Sequence, residues 1–225
     1  MVRARVRLGI VLAAALTAGT GCGGSNHGSA SLRVFMASPG APNVNVSVDG
    51  KSLATGISYG SNTGYLSVKS GSPRVQVAPV SGSSPLFNQG ISIAKGVNQT
   101  LVLTGPALSI QPITLTDGGT TATAGDGHLR VLNASQNLGT ADIYIVAAGT
   151  GIASVQPNVA GLAFDQPPSY QQIVAGTFEI FATTPGTKQA LLDTGPLTIN
   201  SGDNQTIIIL DGASGAIAFS QLTDQ

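Results

Sequence analysis

Apolar and polar residues alternate along much of this chain with a period of two, the period of a half-buried strand. "NVSVDG" (45–50) puts Val46 and Val48 on one face, and "DIYIVA" (142–147) does the same with Ile143 and Ile145. Two runs break the alternation. "LVL" (101–103) and "IIIL" (207–210) are apolar throughout, which suits central strands covered on both faces. Asp49-Gly50 predicts a two-residue hairpin turn, because glycine accepts positive φ. Gly, Pro or Asn separates the candidate strands, and the predicted fold class is all-β.

The same pattern returns. "LRVFMAS" (32–38) recurs as "LRVLNAS" (129–135), 97 residues later, and that offset carries 45–50 onto 142–147. Beyond this point the offset is 105: Tyr59 meets Phe164, Tyr65 meets Tyr170, Gly71 meets Gly176 and Val75 meets Ile180. It becomes 106 at "GVNQTLVL" (96–103) and "GDNQTIIIL" (202–210). The eight extra residues lie between Ile145 and Gly161, where they lengthen one connection and leave the strands intact. Asn98-Gln99-Thr100 and Asn204-Gln205-Thr206 fit a glycosylation sequon but read better as turns entering strands.

The expectation is two tandem antiparallel β-sandwiches. Repeat 1 spans 32–116 and repeat 2 spans 128–225, with a Gly/Thr-rich linker at 117–127 that has no apolar periodicity.

The first residues follow other rules. Arg3, Arg5 and Arg7 precede an uncharged apolar run from Leu8 to Ala18, far shorter than the roughly 20 residues a spanning helix needs. Residues 1–21 therefore read as a secretory signal peptide. "GTGC" (19–22), ending in the only cysteine of the chain, resembles a bacterial lipoprotein signal. That resemblance implies acylation of Cys22, with residues 22–31 as a flexible tether. It further implies an envelope location, at the outer membrane if the cell has two, since Gly23 and Ser25 form no inner-membrane retention signal. The alternative is cleavage near Ala18, a free Cys22 and a secreted soluble protein.

Charge sharpens this picture. Only 9 per cent of residues are charged, against about a quarter in ordinary domains. Ten basic residues less the three arginines of the signal leave seven, against ten acidic, so the mature chain is about −3. No Lys/Arg cluster along the sequence points to nucleic acid as a partner.

"MASPGAPNVNVSVDG" (36–50) resembles the opening of a bacterial extracytoplasmic family, domain of unknown function 4397. Ala37, Ser38, Pro39, Ala41, Pro42, Val44, Val46, Val48, Asp49 and Gly50 fit its pattern. The resemblance covers 32–115, with a second copy at 129–222 that lacks both prolines. It implies an immunoglobulin-like or transthyretin-like sandwich and supplies no catalytic residues. Pro39 and Pro42 fit a segment leaving one sheet, because proline lacks a ladder donor.

Candidate chemistry is sparse. "GISYG" (56–60) matches the nucleophile-elbow pattern around Ser58, and Asp117 or Asp126 followed by His128 completes a hydrolase order. An elbow needs a helix after the serine, and "SNTGYLSV" reads as turn and strand. His27 and His128 lack the partners of a zinc site, and Asp117 and Asp126 lack the dense alternation of a calcium loop. The expectation is therefore no metal and no cofactor. Tyr144 stands opposite Ser47 and is expected to face solvent beside the lengthened loop, as the candidate contact residue for an extracellular protein or glycan. The function expected is a non-enzymatic envelope lipoprotein that binds, adheres or spaces. The alternative is an extracytoplasmic hydrolase on an atypical sandwich.

Overall fold

The structure is a computed structural model that describes residues 28–82, 84–119 and 122–225. The expected signal peptide, Cys22, His27 and most of the tether lie outside the described residues. Eight strands form the first half: β1 (Ser29–Met36), β2 (Val44–Val48), β3 (Lys51–Ile57), β4 (Leu66–Lys69), β5 (Arg74–Pro79), β6 (Phe87–Gly90), β7 (Asn98–Thr104) and β8 (Gln111–Asp117). Nine form the second: β9 (Asp126–Asn133), β10 (Ala141–Ala147), β11 (Val159–Leu162), β12 (Gln171–Val174), β13 (Gly176–Thr183), β14 (Ala190–Asp193), β15 (Leu197–Ile199), β16 (Asn204–Asp211) and β17 (Ile217–Asp224). The chain is all-β. Among the described residues the one helical feature is a single 3-10 turn at Ala213–Gly215.

Both halves use one strand order. The first has an outer sheet β3-β2-β5-β6 and an inner sheet β4-β1-β7-β8; the second has β11-β10-β13-β14 outside, with β15 also on β13, and β12-β9-β16-β17 inside. Alternation explains how each pair closes. Leu32, Val34, Leu101 and Leu103 of the first inner sheet pack against Val46, Val75 and Val77 of its outer sheet. Leu129, Val131, Ile207 and Ile209 pack in the same way on Ile143 and Ile180. The β2–β3 hairpin turns at Asp49 (φ 49°) and Gly50 (φ 76°), the doubly positive geometry that matches strand twist.

One strand pair in each half departs from a wholly antiparallel expectation. β1 lies parallel to β7, and β9 parallel to β16. Parallel neighbours need a long crossover, and here the whole outer sheet supplies it. β1 also begins at Ser29, inside the stretch expected as tether, and Ser29–Ser31 pair with Lys69–Ser67.

The other faces of the two inner sheets meet each other. Phe35, Val102 and Leu115 pack on Leu132, Ile208 and Leu222 in a core shared by both halves. This is why "LVL" and "IIIL" never alternate: Leu101 and Leu103 fill their own sandwich while Val102 fills the shared seam. Phe35, Val102, Leu132 and Ile208 are each 0% exposed, so parting the halves would forfeit on the order of 10 kcal/mol of apolar burial. All strands and all four apolar clusters of the described residues lie within 28–225.

The lengthened loop of the second half also folds inward. Ile152 and Val155 cover Tyr144, Val146 and Phe181 on the far side of β10 and β13, and Ile145 N donates to Asn158 Oδ1 at 2.7 Å.

Candidate functional site

Arg33 stands between Leu32 and Val34, which face the first core, so the pleat aims its guanidinium at the second half. Arg130 does the reverse from the second heptapeptide. The result is a lattice that crosses the seam twice. Arg33 donates from Nη2 to Asp224 Oδ1 at 2.5 Å and from Nη1 to Thr223 O at 2.9 Å. Arg130 donates from Nη2 to Asp117 Oδ1 and from Nη1 to Thr116 O at 2.8 Å. Each arginine therefore holds the last strand of the opposite half.

Within its own half each arginine is positioned by the strand beside it. Arg33 Nε donates to Thr100 Oγ1 (2.9 Å), which donates to Asp117 Oδ2 (2.5 Å). Arg130 Nε donates to Thr206 Oγ1 (2.7 Å), which donates to Asp224 Oδ2 (2.5 Å). Tyr65 and Tyr170 complete the set, their hydroxyls donating to Asp117 at 2.9 Å and Asp224 at 2.6 Å. The same two rings lie under the guanidiniums, with Arg33 Cζ 4.5 Å from the Tyr65 centroid and Arg130 Cζ 4.2 Å from that of Tyr170.

Two cations and two carboxylates balance, and their side chains are between 0% and 4% exposed. Such charges persist in an interior only when paired and hydrogen-bonded. Burial pushes the Asp117 carboxyl above its ordinary range, against the pull of the Thr100 hydroxyl and the two guanidiniums. Burial first, and the neighbouring aspartates second, push the Tyr65 and Tyr170 phenols well above theirs. At the far end of the seam Tyr59 donates to Asp211 O (2.9 Å), and Thr104 donates to Asp165 Oδ2 (2.7 Å). Burial raises Asp165 too, opposed by that bond from Thr104.

The two carboxylates and two guanidiniums are buried, while Tyr65 and Tyr170 are half-buried at the edge of the lattice. Its bonds join the two halves. Among the described residues no group of His, Cys, Asp or Glu could hold a metal ion.

The residues singled out from sequence fall elsewhere or play other parts. Ser58 follows β3, its hydroxyl 2.9 Å from that of Ser61, and a turn follows it rather than a helix. Gly60 N–H donates to Met36 O, placing this loop by the C-terminal end of β1. Asp117 and His128 pair with Asn98 and Asn204 at the opposite ends of the inner sheets, so no triad forms. His128 Nδ1 is 3.1 Å from Asn204 Oδ1, and Asp126 Oδ2 accepts from Gln172 Nε2 at 2.6 Å.

Tyr144 corrects an expectation. It is 1% exposed, roofed by Ile152 and Val155, with Lys188 Nζ 4.2 Å above its ring and donating to its hydroxyl at 3.1 Å. The strand period placed it on the outer face correctly, and the loop then closed that face.

The arginines carried no role in the sequence reading, although their signal is present. Each is a lone charge inside an apolar heptapeptide, in a chain poor in charge. Leu-Thr-Asp closes both halves, at 115–117 and 222–224.

A sequence model of one family, a domain of unknown function (DUF4397), matches residues 30–144. The matched stretch runs from β1 into β10 and covers just over half of the chain. No curated protein matches it.

Proposed function

We propose, from the premise that this chain belongs to the family of domains of unknown function (DUF4397), that it is a non-enzymatic lipoprotein of the cell envelope. Two tandem sandwich copies act as one rigid body, tethered outside the cytoplasm through acylated Cys22. Its work is contact or spacing, with an extracellular protein or glycan as the partner of any contact.

The observation that carries this is the sealed lattice across the seam. The densest collection of ionisable groups in the described residues is spent on joining two sandwiches, and a joint of that kind transmits position rather than turning over a substrate. The repeated strand order supports tandem copies. A rigid pair also offers two surfaces at fixed separation, which raises avidity without new chemistry.

The test has two arms. Cys22→Ser should release the protein to the soluble fraction and abolish acyl labelling; a wild type that is itself soluble with a free thiol overturns the anchor. Generic esters and glycans should not be turned over, and a turnover abolished by Ser58→Ala overturns the non-enzymatic reading.

A further inference from the structure

The few exposed cations of this chain are not scattered. Residues 28–119 hold five basic residues and two acidic, a balance of +3, while residues 122–225 hold two basic and eight acidic, a balance of −6. Of the five in the first half Arg33 is sealed in the seam; Lys51, Lys69, Arg74 and Lys95 are exposed.

Strand register brings these four to one pole. Ser29 pairs with Lys69. Val48 pairs with both Lys51 and Val75, which sets Lys51 beside the start of β5 and Arg74. Lys95 lies in the turn before β7, where Gly96 N–H donates to Ser29 O at 2.9 Å. Its side chain lies against Gly28 so closely that a Cβ there would have no room. One acid, Asp49, sits among them, and its Oδ1 accepts from Arg74 N at 2.8 Å.

Two further observations give the pole a direction and a receptor. The chain enters the described fold here, at Gly28, six residues beyond Cys22, so covalent geometry keeps the pole within about 20 Å of that residue. Between the edges of β3 and β4 opens a cleft of about 300 Å³, with Val48, Leu53 and Val68 along it and Lys51, Lys69 and the one acid Asp49 beside them. The fold itself does not require these cations. The corresponding positions of the second half are Ala148, Val174, Glu179 and Ser201.

We propose that this pole seats the first half on an anionic phospholipid surface, with Lys51 and Lys69 taking a headgroup phosphate at the mouth of the cleft. Each basic side chain close to such a surface is worth roughly fivefold in binding, and the attraction fades beyond a Debye length of about 8 Å at physiological salt. A short tether from a lipid anchor keeps the pole close enough to reach that range. At the same end of the second half Asp126 and Asp203 accept hydrogen bonds from Gln172 and Asn200.

The setting rests on the envelope reading above, but the binding does not need the acyl chain. The test therefore uses residues 28–225, which hold every strand and apolar cluster of the described residues, with vesicles of phosphatidylglycerol in phosphatidylcholine and vesicles of phosphatidylcholine alone. Flotation should show binding to the anionic vesicles only, weakened by high salt. The Lys51→Gln/Lys69→Gln/Lys95→Gln variant, checked for an unchanged urea midpoint, should bind on the order of 100-fold more weakly, three fivefold losses multiplied. Equal binding to neutral vesicles, or full binding by the triple variant, overturns the proposal. Mass analysis of the wild-type N-terminus separates the two ideas: an unacylated Cys22 removes the anchor and leaves the vesicle result standing.

Discussion

Asp224→Asn tests the seam most sharply, because it removes one charge and almost no volume. Asp224 accepts from Arg33 at 2.5 Å, from Thr206 at 2.5 Å and from Tyr170 at 2.6 Å, with Arg130 at 3.4 Å. The amide keeps the shape but leaves two guanidiniums, 4% and 3% exposed, facing a single carboxylate. Removing one member of a buried pair costs about 3–5 kcal/mol. At about 2–4 °C per kcal/mol for a chain of this size, Tm should fall by roughly 6–20 °C. Asp117→Asn, in the other half, should cost about as much, since the lattice is swapped. Replacing all four charged residues by Met and Leu should recover most of the loss, because well-packed apolar substitutes match buried ion pairs. Urea unfolding with fluorescence and calorimetry in parallel gives the numbers. A loss under about 1 kcal/mol would place the lattice among screened surface pairs and refute the reasoning. So would unfolding of the two halves in separate steps.

Other outcomes follow from the same geometry. Tyr65 and Tyr170 have phenols raised in the fold, so above pH about 10, where unfolded phenols ionise, the unfolded chain loses protons first and stability falls with rising pH. The urea midpoint should drop over that window, and the Tyr65→Phe/Tyr170→Phe variant should show a flatter slope from a lower plateau. Deleting 148–158 should expose Tyr144, Val146 and Phe181 and produce dye-binding, aggregation-prone protein, where a free contact loop would leave a soluble one. Tyr144→Ala should cost about 3–5 kcal/mol by the same urea assay. Ser58→Ala, which removes only a hydroxyl shared with Ser61, should shift the midpoint by less than about 1 kcal/mol.

What the chain discloses before folding depends on how local the cause is. Asp49-Gly50 predicted its hairpin because the turn is decided by two residues. "LVL" and "IIIL" announced burial on both faces, and the heptapeptides announced a repeated architecture, because period and recurrence are written along the chain. The direction of β1 beside β7 was not legible, since side-chain period is the same in parallel and antiparallel ladders. Tyr144 was misread because a loop eleven residues long decided its exposure from outside the strand. Arg33 and Arg130 were hardest of all: Arg33 is satisfied by Asp224, 191 residues on, and Arg130 by Asp117, 13 residues back but in the other half, so neither half on its own shows the partner. The recurrence of Leu-Thr-Asp at both closing strands is the clue that links them.

The claim that the halves form one body can be tested by cutting between them. A protease site placed between Gly118 and Gly125 falls after β8 and before β9, and cleavage there removes the covalent link while leaving the seam. The nicked protein should elute from gel filtration as a single species containing both fragments, in low and in high salt alike, because the lattice is sealed from screening and the shared core remains. Two folded fragments separating in ordinary buffer would contradict the account.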